Sequence, residues 1–254
     1  ADAVPGNIQC TVTMTAGTDE YPYQEQETIN LDLTLSQFGF PLDGIVVKSS
    51  PIVADLDSDG MKEIYFGSDN EALHGYNSFG EEIDGFPFQS TDRVRSSPAL
   101  GDVDNDGQME IIFGNSSGKL YIVNHDGSQQ LAYSILGFIE GSPALVDVDG
   151  DQDLEIIFNT TTTSGGKLYA IHHNGITMSG FPKELGSMWT GPAVHDIDND
   201  GAYDIVCTTY DKEIYAIEVN GGAIKPGFPF ATSGRFSISP TVVDVDSDGD
   251  YEIA

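Results

Sequence analysis

Apolar and polar positions alternate with period two through most of the chain, and no window carries the 3.6-residue spacing of an amphipathic helix. Residues 8–16 (IQCTVTMTA) and 27–35 (ETINLDLTL) read as two strands joined by a long polar loop, forming a hairpin or the end of a preceding β-sandwich. Beyond them a larger period takes over. One phrase recurs five times in register: SSPIVADLDSDGMKEI, SSPALGDVDNDGQMEI, GSPALVDVDGDQDLEI, TGPAVHDIDNDGAYDI and ISPTVVDVDSDGDYEI. Its first aspartates, Asp55, Asp102, Asp147, Asp196 and Asp244, are 47, 45, 49 and 48 residues apart. A proline stands four residues before each, at Pro51, Pro98, Pro143, Pro192 and Pro240. That period fits a propeller blade and is too long for leucine-rich or ankyrin units.

Within a unit, strand A (Pro98-Ala99-Leu100) leads into an acidic loop and strand B (Glu110-Ile111-Ile112-Phe113) follows it. Strand C begins at Leu120, Leu168 or Ile214, and strand D lies beyond an Asp-Gly, Asn-Gly or Gly-Gly turn. The expected fold is all-β: a β-propeller of four-stranded antiparallel blades, four full repeats and a partial fifth, preceded by the short hairpin or sandwich end. Gly39-Phe40-Pro41 matches Gly85-Phe86-Pro87, Gly180-Phe181-Pro182 and Gly227-Phe228-Pro229. The propeller is therefore expected to begin near Phe38 with an outer strand, dividing the chain into residues 1–37 and 38–254. Ala254 falls inside strand B of the fifth repeat. The sequence thus reads as a piece truncated at its C-terminus in preference to a ring closed by a shared blade, because an unpaired edge is normally covered.

The loops carry the chemistry. Each presents an acid at positions 1, 3, 5 and 9: Asp55, Asp57, Asp59, Glu63; Asp102, Asp104, Asp106, Glu110; Asp147, Asp149, Asp151, Glu155; Asp196, Asp198, Asp200, Asp204; and Asp244, Asp246, Asp248, Glu252. A single Asp-rich turn reads equally well as Asx turns in solvent. Five copies in register, each keeping its fourth acid, point instead to a cation between the carboxylates, and hard oxygen donors at this spacing suit Ca²⁺ better than Mg²⁺. About five calcium sites are expected. Position 7 (Met61, Gln108, Asp153, Ala202, Asp250) would offer its backbone carbonyl, which accounts for its variable side chain. The third loop, with Gly150 at position 4 and Gln152 in place of the usual Gly at position 6, is expected to be the weakest.

These features resemble the FG-GAP (VCBS-like) repeat family, the calcium-binding blades of integrin α-chain propellers and of many secreted bacterial proteins. The Phe-Gly pair stands at Phe66-Gly67 and Phe113-Gly114, with SSP, GSP or TGP at the second signature position, and the resemblance covers residues 38–254. Phe158-Asn159 and Cys207-Thr208 depart from the Phe-Gly pattern. The resemblance implies a calcium-stapled propeller, an extracellular setting and a role in adhesion or ligand binding, and it implies no enzyme activity.

Charge narrows the partners. Forty-one acidic against ten basic residues give a formal charge of −31, so neither nucleic acid nor an anionic membrane surface is expected as a partner. The longest apolar runs are a few residues, far short of the roughly 20 that span a bilayer, so no membrane insertion is expected. The opening ADAVPGN has neither a basic start nor an apolar core, which places any signal peptide upstream or already removed. Cys10 and Cys207 make no zinc spacing, and Cys207 reads as a small buried hydrophobe in preference to a partner for Cys10. His74, His125, His172, His173 and His195 belong to no catalytic motif, and His172-His173 reads as a solvated turn. The function expected is a non-catalytic binding, adhesion or scaffold module. Its alternatives are an ancillary propeller of a larger secreted protease, glycoside hydrolase or polysaccharide lyase, and a structural subunit of an extracellular assembly. The expected partner is a protein or carbohydrate ligand that the sequence does not name, or a second copy of the chain in an extracellular assembly. Strand alternation sets the D-to-A connections on the face opposite the calcium loops. Arg93, Arg95, Arg235 and Trp189 all fall there, which makes them the candidate docking residues.

Overall fold

The computed structural model describes residues 6–18, 21–33, 39–40 and 42–254, the first two stretches as backbone strands. The chain divides into two compact units, Ala1–Asp43 and Gly44–Ala254, where the sequence placed a boundary at 37/38. In the first unit β1 (Gly6–Thr18) pairs antiparallel with β2 (Tyr21–Leu33), from Gly6 opposite Leu33 to Thr18 opposite Tyr21. The hairpin is as expected, but residues 21–26, read from sequence as polar loop, belong to the ladder. Backbone pairing does not require apolar side chains, and Tyr21 and Tyr23 favour extended structure. The outer strand expected near Phe38 falls on residues outside those described.

The second unit is a succession of antiparallel sheets. The first blade is β3 (Ile52–Ala54), β4 (Glu63–Gly67), β5 (Ala72–Tyr76) and β6 (Phe88–Gln89). The second is β7 (Ala99–Gly101), β8 (Glu110–Gly114), β9 (Lys119–Val123) and β10 (Gln129–Ser134). The third is β11 (Ala144–Val146), β12 (Glu155–Asn159), β13 (Lys167–Ile171) and β14 (Lys183–Glu184). The fourth is β15 (Ala193–His195), β16 (Asp204–Thr208), β17 (Glu213–Glu218) and β18 (Phe230–Ala231). A two-stranded fifth sheet, β19 (Val242–Val243) with β20 (Glu252–Ile253), repeats the A and B strands. Each full sheet is ordered A-B-C-D, and no described residue is α-helical. These are the blades of a β-propeller.

Buried apolar side chains lie between successive blades. Tyr65, Leu73, Phe86 and Val94 of the first blade and its exit pack against Ile111, Phe113 and Tyr121 of the second. Ile112, Leu120, Ile122 and Ile139 pack against Ile156, Phe158 and Tyr169 of the third. Ile157, Leu168, Ala170 and Met188 pack against Ile205, Cys207 and Ile217 of the fourth. Cys207 is free and fully buried, as its alignment with Phe66, Phe113 and Phe158 requires. The same contacts account for the Phe-Gly pair. A Cβ at Gly67 would stand 2.4 Å from Val94, and one at Gly114 would stand 2.1 Å from Ile139, so the segment entering the next blade needs the bare glycine. Where Asn159 takes that place its amide donates to the Thr190 carbonyl, and Thr208 bonds the Thr190 hydroxyl at 3.1 Å.

Candidate metal centres

All five acidic loops are A-to-B connections and share one internal frame. The position-1 aspartate accepts the backbone N–H of position 6: Gly60 to Asp55, Gly107 to Asp102, Gln152 to Asp147, Gly201 to Asp196 and Gly249 to Asp244, at 2.9–3.1 Å. The position-9 acid accepts the N–H of position 2: Leu56 to Glu63, Val103 to Glu110, Val148 to Glu155, Ile197 to Asp204 and Val245 to Glu252, at 2.8–3.3 Å. The position-5 aspartate accepts from position 7, at 2.7–3.0 Å. Within this frame carboxylates of different positions converge. In each of the sets Asp55, Asp57, Glu63; Asp102, Asp104, Glu110; and Asp196, Asp198, Asp204, one oxygen per residue lies within 4.8 Å of the others. Asp147, Asp149 and Asp151 form such a set in the third loop.

The position-9 acids are the buried members: Glu63, Glu110, Glu155 and Asp204 are at most 4% exposed, whereas Glu252 of the last loop is exposed. Burial raises the carboxyl pKa of all four against the hydrogen bond from position 2, and the neighbouring aspartates push Glu63 and Glu110 the same way. Glu110 reaches about 7. In the first two loops Asp55 Oδ1 and Asp104 Oδ1 are buried without a hydrogen-bond donor. Buried anionic oxygens left without donors are costly unless a cation meets them, and an all-oxygen cluster of this kind fits Ca²⁺.

The loops differ in what else reaches them, and the sequence reading missed these side chains. In the second loop Gln130, where the β9–β10 register shifts, donates its amide to Asp104 at 2.8 Å. In the third, His172 Nδ1 is 2.9 Å from Glu155 and His173 Nδ1 is 3.0 Å from Asp153. The pair is therefore no bare solvated turn, and Asp149, Glu155 and His172 make a second cluster in that loop. Gln152 holds φ at +78°, the left-handed conformation that Gly60, Gly107, Gly201 and Gly249 take at the same position. In the fourth loop Lys225 Nζ stands 2.7 Å from Asp198, 3.5 Å from Asp200 and 3.0 Å from both oxygens of Asp204. A cation is thus already present among those carboxylates.

The candidate docking residues separate by their surroundings. Arg95 is committed to Asp69 through two hydrogen bonds of 2.7 and 3.2 Å. The Arg235 guanidinium lies 4.1 Å from the Tyr210 ring centroid and donates to its hydroxyl. Trp189 is 47% exposed, Phe138 is 41% exposed, and Arg93 is exposed. A cleft of about 370 Å³ opens nearby between the third blade's B-to-C loop and Leu136, lined by Thr160, Thr162, Ser164 and Lys167.

The FG-GAP-like repeat model matches residues 55–113 and 102–158, each span running from the first aspartate of one loop to the strand-B phenylalanine of the next blade. Comparison with curated proteins finds no match. Among solved structures the chain is similar to the Vibrio cholerae biofilm matrix protein Bap1, at 20% identity and a TM-score of 0.61, over 82% of this chain and 34% of that one. It is also similar to the Pseudomonas aeruginosa PilY1 C-terminal domain, at 16% identity and a TM-score of 0.57, over 76% and 51%. The quinohemoprotein alcohol dehydrogenase of Comamonas testosteroni matches at 13% identity and a TM-score of 0.57, over 82% and 39%. The chain thus spans between a third and about half of the length of these structures. They agree with it in fold, and the repeat match agrees with the loops and the Phe-Gly glycines it spans: residues 55–158 match FG-GAP-like repeats, and the blades that follow repeat the same four-stranded arrangement.

Proposed function

We propose that the chain is an extracellular, non-catalytic binding or adhesion module whose blades are stabilised by calcium in the A-to-B loops. The observation that carries the calcium assignment is the pair of buried, donorless oxygens, Asp55 Oδ1 and Asp104 Oδ1, each inside a carboxylate cluster. Residues at positions 1, 3, 5 and 9, with the position-7 carbonyl, would hold the ion. The ion would neutralise the loop and tie strand A to strand B. Bap1 is a biofilm matrix protein, and the shared fold supports an extracellular reading of this chain.

His74 is not set up as the base of a nucleophile. Ser68 Oγ is 3.1 Å from His74 Nε2, and His74 Nδ1 is 3.7 Å from Glu82, an order reminiscent of a nucleophile triad. Yet Ser68 is fully buried, its hydroxyl bonds the Ala72 carbonyl, and His74 is stacked on Phe66 and Tyr76. No substrate reaches that oxygen. The face opposite the calcium loops is the docking surface, with Trp189 and Phe138 as apolar anchors and Arg93 as an exposed cation, for a protein or carbohydrate ligand. Thermal melts with chelator and with millimolar CaCl₂ test the calcium reading. Each occupied site of extracellular type adds roughly 0.4–1.4 kcal/mol. Identical melts together with no calcium by metal analysis would defeat it. Trp189→Ala tests the docking face, lowering ligand affinity with no change in calcium binding.

A further inference from the structure

In each blade the chain that returns along strand C can be matched through its backbone bonds. The N–H of Ile83 bonds the Gly75 carbonyl, that of Met178 the Ala170 carbonyl, and that of Lys225 the Ala216 carbonyl, while Leu131 pairs with Ile122. Gly75, Ile122, Ala170 and Ala216 occupy one position of strand C, opposite Tyr65, Ile112, Ile157 and Val206. Three blades therefore place an apolar residue at this point of the segment that folds back along strand C, and Ile83, Leu131 and Met178 each pack against an interblade core. The fourth places a lysine there. Its side chain is 7% exposed and delivers the ammonium among Asp198, Asp200 and Asp204. Asp204 is itself fully buried and would otherwise be a buried charge without a counter-ion.

We propose that the fourth loop is closed by the Lys225 ammonium instead of a metal ion, so that this chain takes calcium in its other loops and not in this one. The inference rests on the calcium reading for those other loops. An ammonium is a compact point charge with three donors. Lys225 spends its contacts on the position-3, position-5 and position-9 carboxylates, the groups a dication at this site would need. A metal ion entering the loop must expel the ammonium from a buried position or share the carboxylates with a like charge, and both are unfavourable.

Calorimetric titration of the protein and of Lys225→Met with CaCl₂ tests this, methionine being the residue at the matched place in the third blade. The variant is expected to bind one ion more than the wild type. Equal, non-zero stoichiometry in the two proteins overturns the inference. Should Lys225→Met fail to fold, wild-type crystals soaked in terbium chloride decide: anomalous density at the first loop with none at the fourth supports the proposal, and a peak at the fourth overturns it. Absence of metal from every loop would defeat the calcium reading instead. In that event native amine acetylation judges Lys225 alone, with protection until the protein unfolds as the expected result and labelling of the folded protein as the contrary one.

Discussion

Glu110 sets calcium affinity and metal-free stability moving in opposite directions with pH. Its carboxyl is 2% exposed and its pKa is pushed from 4.5 up to about 7, first by burial and then by Asp104, Asp106 and Asp102. A folded-state pKa above the unfolded value means that the folded protein holds a proton the unfolded chain releases. That contribution to stability is fully present below about pH 4.5 and is lost as pH rises through about 7. Between pH 5 and 8 the loss is about 1–2 kcal/mol after discounting for the exposed loop around the group, or roughly 2–8 °C in melting temperature for a chain of this size. Calcium must displace the same proton. Apparent affinity at the second loop should therefore fall about tenfold from pH 8 to pH 6, about 1.4 kcal/mol.

The assay is a set of thermal melts from pH 5 to 8, in chelator and in 10 mM CaCl₂, on the wild type and on Glu110→Gln. The metal-free wild type should lose melting temperature as pH rises, and the calcium-induced increment should grow. Glu63, Glu155 and Asp204 have raised carboxyl pKa values too and act with the same sign, as does overall repulsion, so the variant isolates Glu110. Glutamine keeps an oxygen to accept from Val103 N–H but cannot ionise. It should flatten the metal-free slope and remove one calcium. A metal-free melting temperature that rises with pH, or a Glu110→Gln variant with unchanged slopes, refutes the burial argument.

Two further substitutions test the frame. Gln152→Gly should stabilise the protein by roughly 0.5–1 kcal/mol, because the left-handed φ of +78° costs glutamine more than the extra chain entropy costs glycine; denaturant melts that move the other way would show the loop is not strained there. Gly114→Ala should destabilise by roughly 1–3 kcal/mol through the 2.1 Å approach to Ile139, with Ile139→Ala recovering part of that loss in the double variant; additive losses would mean the two positions do not touch.

The blades were legible because their signals are local and repeated. Alternation in Glu110-Ile111-Ile112-Phe113, a turn glycine at fixed offset and the aspartates of each loop recur at one period, and the structure returns four-stranded sheets at those places. The loop acids were legible for the same reason, since positions 1 to 9 are contiguous in sequence. The side chains that modify each loop were not, because they arrive from segments 17 to 27 residues further along. A signal for Lys225 did exist: aligned on the Gly-Phe-Pro segment, it stands where Ile83 and Met178 stand, a charge at an apolar position. No comparable alignment marks His172, which follows strand C where Asn77 and Asn124 do in other blades. The hairpin's inner half was hidden because Gln24, Glu25 and Gln26 lack any apolar alternation, although the backbone ladder runs through them.

The loops are therefore not five copies of one device. The first two have buried oxygens with no donor and keep the Phe-Gly glycine that admits the next blade's entering segment. The third and fourth have replaced that glycine with Asn159 and Thr208, and the same two blades bring an imidazole or an ammonium to the position-9 acid. An internal base lowers the electrostatic cost of an empty loop, so dependence on external cation should be greatest at the N-terminal end of the described blades and least at the fourth. Removing calcium would then loosen the first and second blades before the fourth, an order that hydrogen exchange on the strand-B amides of Glu63–Gly67, Glu110–Gly114 and Asp204–Thr208 reads directly. Uniform loss of protection across all three strands would show that the blades respond as one unit and that the imidazole and ammonium do not substitute for the ion.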